Sequence, residues 1–120
     1  KTAFGEEHSN VADLLSAFGS RLYDKAQYNQ AMPLLEQSLK IRETVLGLDH
    51  PDVAAALNRL ANLLQTQGKY IQAEPLYERS LQIYEKALGP DHPYVATSLH
   101  NKASLLEAIG KYDEALPLFE

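Results

Sequence analysis

Three histidines, His8, His50 and His92, recur along the chain at equal spacing. Histidine is the side chain best suited to hold a transition metal or to move a proton near neutral pH, so a shared metal site is the first chemistry to weigh. The other ingredients of catalysis are thin. The chain has no cysteine, which rules out a thiolate nucleophile and a thiolate zinc site. It has no glycine-rich phosphate loop and no HExxH helix, and Glu6 with Glu7 is an ordinary acidic pair near a helix start. Whether the histidines can act together depends on the elements that carry them.

Each histidine lies inside a recurring phrase: GEEHSNVA at 5–12, GLDHPDVA at 47–54 and GPDHPYVA at 89–96. At an offset of 42, residues 47–78 and 89–120 are identical at 17 of 32 positions, against about one in fifteen expected from residue usage. The chain therefore reads as one array over residues 1–120, with copies at 5–46, 47–88 and, incomplete, 89–120. Self-similarity at a fixed period points to a solenoid of stacked units.

Each copy predicts two helices. Ala54, Leu57, Leu60, Ala61 and Leu64 line one face of the first, which ends near Gly68, and Pro51 and Pro93 suit its first turn, with Asp49 or His50 and their copies as the adjoining cap. Ala73, Leu76, Tyr77, Ser80, Leu81, Tyr84 and Leu88 line the second, which stops at Gly89. Pro33, Pro75 and Pro117 fall about a turn into these second helices and bend their starts slightly. The expected fold class is all-α, with helices near 9–23, 28–46, 51–66, 70–88, 93–108 and 112–120. Leu57, Leu60, Leu64, Leu76, Tyr77 and Leu81 should close the central interface, and Tyr28, Tyr70 and Tyr112, one per copy, should be packing residues. Successive hairpins sit about 10 Å apart, so the histidines cannot share one ion held at about 2 Å. Each is expected to cap or pack at a turn between copies. No catalytic residue, metal or cofactor is expected.

Composition points the same way. The longest apolar runs are a few residues long, far below the roughly 18 to 20 that span a bilayer, and KTAFGEEHSN lacks the apolar core of a signal peptide. A formal net charge of −5 disfavours nucleic acid and anionic membranes, which need a basic face. The cysteine-free composition fits a reducing compartment, so a soluble cytoplasmic protein with a protein partner is expected.

The pattern Leu57, Leu60, Ala61, Leu64, Gly68, Tyr70, Ala73, Tyr77, Ser80 resembles the tetratricopeptide repeat, with Gly19 at the small-residue position that Ala61 and Ala103 fill later. The ordinary repeat is shorter, about 34 residues. The extension here, ending in LGxDHPxVA, resembles the 42-residue repeats of kinesin light chains and their bacterial relatives. The resemblance implies a right-handed superhelix whose first helices build a concave wall, and a protein interaction scaffold that holds a peptide or helix there. Groove positions carried over from the family are Asp13, Ser16, Ser20 and Tyr23, then Ala55, Asn58, Asn62 and Gln65, then Thr97, His100, Ser104 and Glu107. Asn58 matches a groove asparagine of the family, and Arg42 matches an arginine that contacts acidic cargo peptides, so an acidic linear motif is the implied ligand. A clamp for chaperone carboxylates would need lysines where Ser16, Asn58 and His100 stand. Two further expectations remain. The array could instead be a spacer or self-assembly unit with an empty groove. A chain ending in mid-helix at Glu120 looks like part of a longer array, its last helix frayed or stacked end to end, with the Lys102 stem laid over the leucines and its charge in water.

Overall fold

A computed structural model of the protein describes residues 3–110, with side chains from residue 10 onward. Five helices follow one another: α1 (Ala3–Asp24), α2 (Tyr28–Leu46), α3 (Pro51–Thr66), α4 (Tyr70–Leu88) and α5 (Pro93–Ala108), with no strand among the described residues. The expected sixth helix at 112–120, with Tyr112, Pro117 and any end-to-end stacking through it, lies outside the described residues. Each helix packs on the next, and α1 also touches α3, the neighbour pattern of a solenoid. No helix among the described residues is long and apolar enough to cross a membrane.

The DHP phrase starts helices by two devices. Proline at the first helical position lacks an amide that would have no intrahelical partner there. The preceding histidine keeps an extended backbone, and its Nδ1 accepts the amide of the residue two further on: His50 from Asp52 and His92 from Tyr94, each at 3.0 Å. The previous helix is stopped by Gly47 or Gly89, whose φ of +92° and +91° suits glycine. The first copy departs from this plan. Helix α1 begins at Ala3 rather than near residue 9, so His8 lies inside it and is not a cap. Ser9 stands where the other copies have proline, and nothing there forbids the helix from continuing backward. Pro33 and Pro75 sit inside α2 and α4 and do not end them.

The core lies along the contact of each second helix with its neighbours on either side. Ala31, Leu35, Leu60, Ala61, Leu63, Leu64, Ala73, Tyr77 and Leu105 form one buried cluster, and Val53, Ala54, Leu57, Leu81, Ile83, Tyr84 and Val95 form another. Leu76, Tyr28 and Tyr70 pack against these clusters half-buried. The small-residue position sets the helix spacing. A Cβ on Gly19 would come within 2.7 Å of Leu35, whereas Ala61 and Ala103 fit fully buried. One buried hydrogen bond repeats with the period: Ser38 donates to the carbonyl of Ala12 (2.9 Å) and Ser80 to that of Ala54 (3.0 Å). Ion pairs tie neighbouring helices on the other side, Arg79 to Glu43 at 2.6 Å and Lys102 to Glu78 at 2.5 Å. The Lys102 ammonium is thus paired, not held free in water as the sequence suggested. On α1, Val11, Leu14 and Phe18 are exposed, although their equivalents in the second copy, Val53, Ala56 and Leu60, are buried.

Leu57→Ala should cost about 2–5 kcal/mol in urea unfolding, because the site is fully enclosed, and the half-buried Leu76→Ala should cost less. Replacing His92 with alanine should cost about 0.5–2 kcal/mol, and His92→Asp should recover most of that, because aspartate accepts the same amide. Equal stability of the alanine and aspartate variants would remove the capping role.

Candidate functional site

The first helices α1, α3 and α5 present their polar sides on one wall, and a hydrogen-bond chain joins two of them. Thr66 donates to the carbonyl of Asn62 (2.9 Å), which leaves its oxygen to accept from the Tyr23 hydroxyl across the gap (2.8 Å). Beside this chain is an open depression of about 330 Å³ lined by Tyr23, Asn62, Gln65, Thr66, Tyr70, Tyr77, Asn101 and Ser104. A smaller one of about 110 Å³, lined by Ser20, Tyr23, Asp24, Leu35, Arg59 and Asn62, shares Tyr23 and Asn62 with it. The larger is mainly polar and the smaller mainly apolar, and together they form a trough across α1, α3 and α5.

Tyr77 sets the chemistry of the floor. Its ring is buried, and its single hydroxyl proton is shared between the amide oxygens of Asn62 and, at 2.9 Å, Gln65. Burial, with a smaller contribution from Tyr23, pushes the phenol well above its ordinary pKa, so it stays protonated and remains a donor. With both amide oxygens turned to Tyr77, the NH₂ groups of Asn62 and Gln65 have no partner among the described residues. They are available as donors toward the trough. Arg59 is exposed and likewise has no ion pair among the described residues.

The residues expected from the sequence divide. Tyr23, Asn62, Gln65 and Ser104 line the larger depression and Ser20 the smaller. Ser16, Asn58, Thr97 and His100 line neither. Ser16 is buried with its hydroxyl 2.7 Å from that of Ser38. Asn58 is half-buried, with an amide oxygen shut away from solvent and without a hydrogen-bond partner among the described residues. Thr97 is exposed and donates to the carbonyl of Pro93, and His100 is exposed on α5. Arg42, expected as a solvated or ligand-facing arginine, is 9% exposed. It bridges three helices, donating to Asp13 Oδ1 of α1 at 3.1 Å and to the Asp52 carbonyl of α3 at 3.2 Å. One period later Tyr84 takes this place and packs on Tyr94, ring centroids 5.4 Å apart.

Sequence reasoning missed Arg59, Thr66, Tyr70 and Asn101. The signal was present: positions 59, 62 and 66 share a helix face by the same spacing rule, and Asn101 is the third copy's equivalent of Arg59. The open face is turned by about one residue from the expected 55, 58, 62, 65 face. Tyr77→Phe should cost about 0.5–1.5 kcal/mol and shift the side-chain amide resonances of Asn62 and Gln65; unmoved resonances would show that the phenol does not orient them.

Two family models, both described as tetratricopeptide repeat, match residues 11–52 and 52–120. No curated protein sequence matches significantly. Among solved structures, BtubC (BKLC) from P. vanneervenii superposes with a TM-score of 0.84 at 21% identity, covering 89% of this chain and 42% of that one. TPR-like repeats described as kinesin light chain, from P. anserina, give 0.80 at 29% identity, covering 89% and 51%. The TPR domain of Arabidopsis FLU gives 0.80 at 17% identity, covering 93% and 91%. The chain thus spans about half the length, or less, of the first two. The resemblance to kinesin light chain-like repeats holds in the fold as well as in the motif. Tetratricopeptide repeats generally mediate protein–protein interaction, and this chain belongs to the tetratricopeptide repeat family.

Proposed function

We propose that the chain is a single array of 42-residue repeats, at 5–46, 47–88 and 89–120, whose concave wall binds an extended segment of a partner protein. The observation that carries this reading is the pair of amide donors, Asn62 and Gln65, turned toward the trough by Tyr77. Such donors hold a ligand's backbone carbonyls without demanding particular side chains. Tyr23, Ser20 and Ser104 continue the polar floor on α1 and α5. Asn58, Thr97 and His100 belong to the outer contacts of a longer ligand, whereas Ser16, buried against Ser38, is out of its reach. The wall favours an acidic linear motif, with Arg42 and Arg59 as its cations and the kinesin light chain resemblance as further support. A cytoplasmic scaffold without catalytic activity is the setting we infer, from the cysteine-free composition and the family.

A second reading has one observation in its favour. The exposed stripe of Val11, Leu14 and Phe18 would suit a unit that associates through its ends and leaves its wall empty. A peptide-library screen separates the two. Under the first reading, linear acidic peptides are recovered, bind with modest affinity and weaken as salt rises. Asn62→Ala combined with Gln65→Ala should reduce their affinity by roughly five- to fiftyfold, the loss of two hydrogen bonds. Binding that ignores the double variant would move the site off this wall, and a screen that recovers nothing while the chain self-associates would favour the spacer.

A further inference from the structure

The Arg42–Asp13 pair is lopsided. The Arg42 side chain is 10% exposed and that of Asp13 71%. On one side the guanidinium is fixed, because NH1 donates to the Asp52 carbonyl in the first turn of α3. On the other, NH2 meets a carboxylate that stands in water and is held at 3.1 Å by that contact. Asp13 occupies the repeat position that Ala55 and Thr97 fill in the other copies, so this wall carries one such acid–arginine pair among the described residues.

We propose that Asp13 is a built-in competitor for the partner's carboxylate: it covers the accessible edge of the Arg42 guanidinium, and an acidic side chain of the ligand binds there by displacing it. The inference rests on the groove reading above. A largely buried arginine cannot be left without a counter-charge, so the exchange is a swap in which Asp13 swings into solvent as the ligand acid arrives. Asp13 can leave readily, because an ion-pair member this exposed is only weakly held. The geometry permits one ligand to do both jobs. Asp13 and Ser20 lie two helical turns apart on α1, about 10 Å along the axis, which an extended peptide spans with roughly three or four residues. Asn62 and Gln65 themselves stand farther off, about 15–20 Å along α3 from the Asp52 carbonyl that Arg42 holds, so a ligand seated on their donors reaches Arg42 with an acid roughly four to six residues away. Asp13 thus tempers what an acidic ligand gains from Arg42, whereas a ligand without an acid at that point leaves the resident pair closed.

The test is a titration of the 120-residue chain with a synthetic peptide containing a Leu-Glu-Asp-Leu core, beside its uncharged Leu-Gln-Asn-Leu counterpart. Asp13→Asn should bind the acidic peptide roughly two- to fivefold more tightly at low salt, with no gain for the uncharged peptide. Glu36→Gln, an equal change of charge at an exposed position of α2 away from the wall, should leave affinity unchanged. In the wild-type chain the Asp13 carboxyl carbon resonance should move as the acidic peptide saturates, a readout that needs no variant. Asp13→Ala, the residue found at position 55, serves if the asparagine variant does not fold. Wild-type binding with no gain in the Asp13 variants, or an unmoved Asp13 resonance at saturation, overturns the competitor and leaves the groove reading standing. Failure of every form to bind the acidic peptide overturns both.

Discussion

The close approach of each second helix to the first helix on either side of it is the contact on which the structure depends. Helices of 16 to 22 residues are marginal by themselves in water, and a lone hairpin leaves one apolar face of each helix uncovered. The approach needs small residues where the helices cross, and Gly19, Ala61 and Ala103 supply them at one repeat position. It also needs a partner for polar groups trapped at the crossing. Ser38 and Ser80 meet that need by binding the carbonyls of Ala12 and Ala54, the same bond one period apart.

That packing also shapes the wall. Tyr77 is a core residue by burial, yet its hydroxyl emerges beside α3 and turns two amides the same way. The second helix therefore acts on the groove without lining much of it: the ring stabilises the hairpin, and the one hydroxyl proton, shared between the two amide oxygens, draws them inward. The corresponding residue of the first copy is Leu35, which fills the space over Gly19 and offers no hydroxyl. The two copies share a backbone plan and differ in the chemistry they present, which is how a repeat array acquires a preferred ligand. The junctions between copies differ in the same manner, with Arg42 bridging Asp13 and Asp52 in one and Tyr84 against Tyr94 in the next.

Much of the fold was legible because proline and glycine act locally. Pro51, Pro93, Gly47 and Gly89 mark helix ends through their own backbone restrictions, and α2 to α5 begin and end where those residues and the apolar spacing place them. The start of α1 was not legible, since Ser9 permits several backbone paths where proline permits few. The groove was legible in part for a related reason. Apolar periodicity identifies the face that is buried and leaves open how far the remaining face is turned toward each neighbour, so Asn62 and Gln65 were found while Arg59 and Thr66 were missed. Arg42 shows the limit most clearly. Its place depends on groups in three helices, Asp13, its own α2 and Asp52, and no spacing within one helix reveals that its charge is already used.

The central claim is that the wall formed by α1, α3 and α5 is where a partner segment lies. The most direct measurement is a map of side-chain and backbone resonances during titration with a peptide selected by the chain from an unbiased library. The account predicts that the Asn62 and Gln65 amide NH₂ signals move together with Ser20, Tyr23 and Ser104, while Glu36 and Gln82, exposed on the second helices, stay still. Movement confined to the second helices, with Asn62 and Gln65 unchanged at saturation, would contradict it.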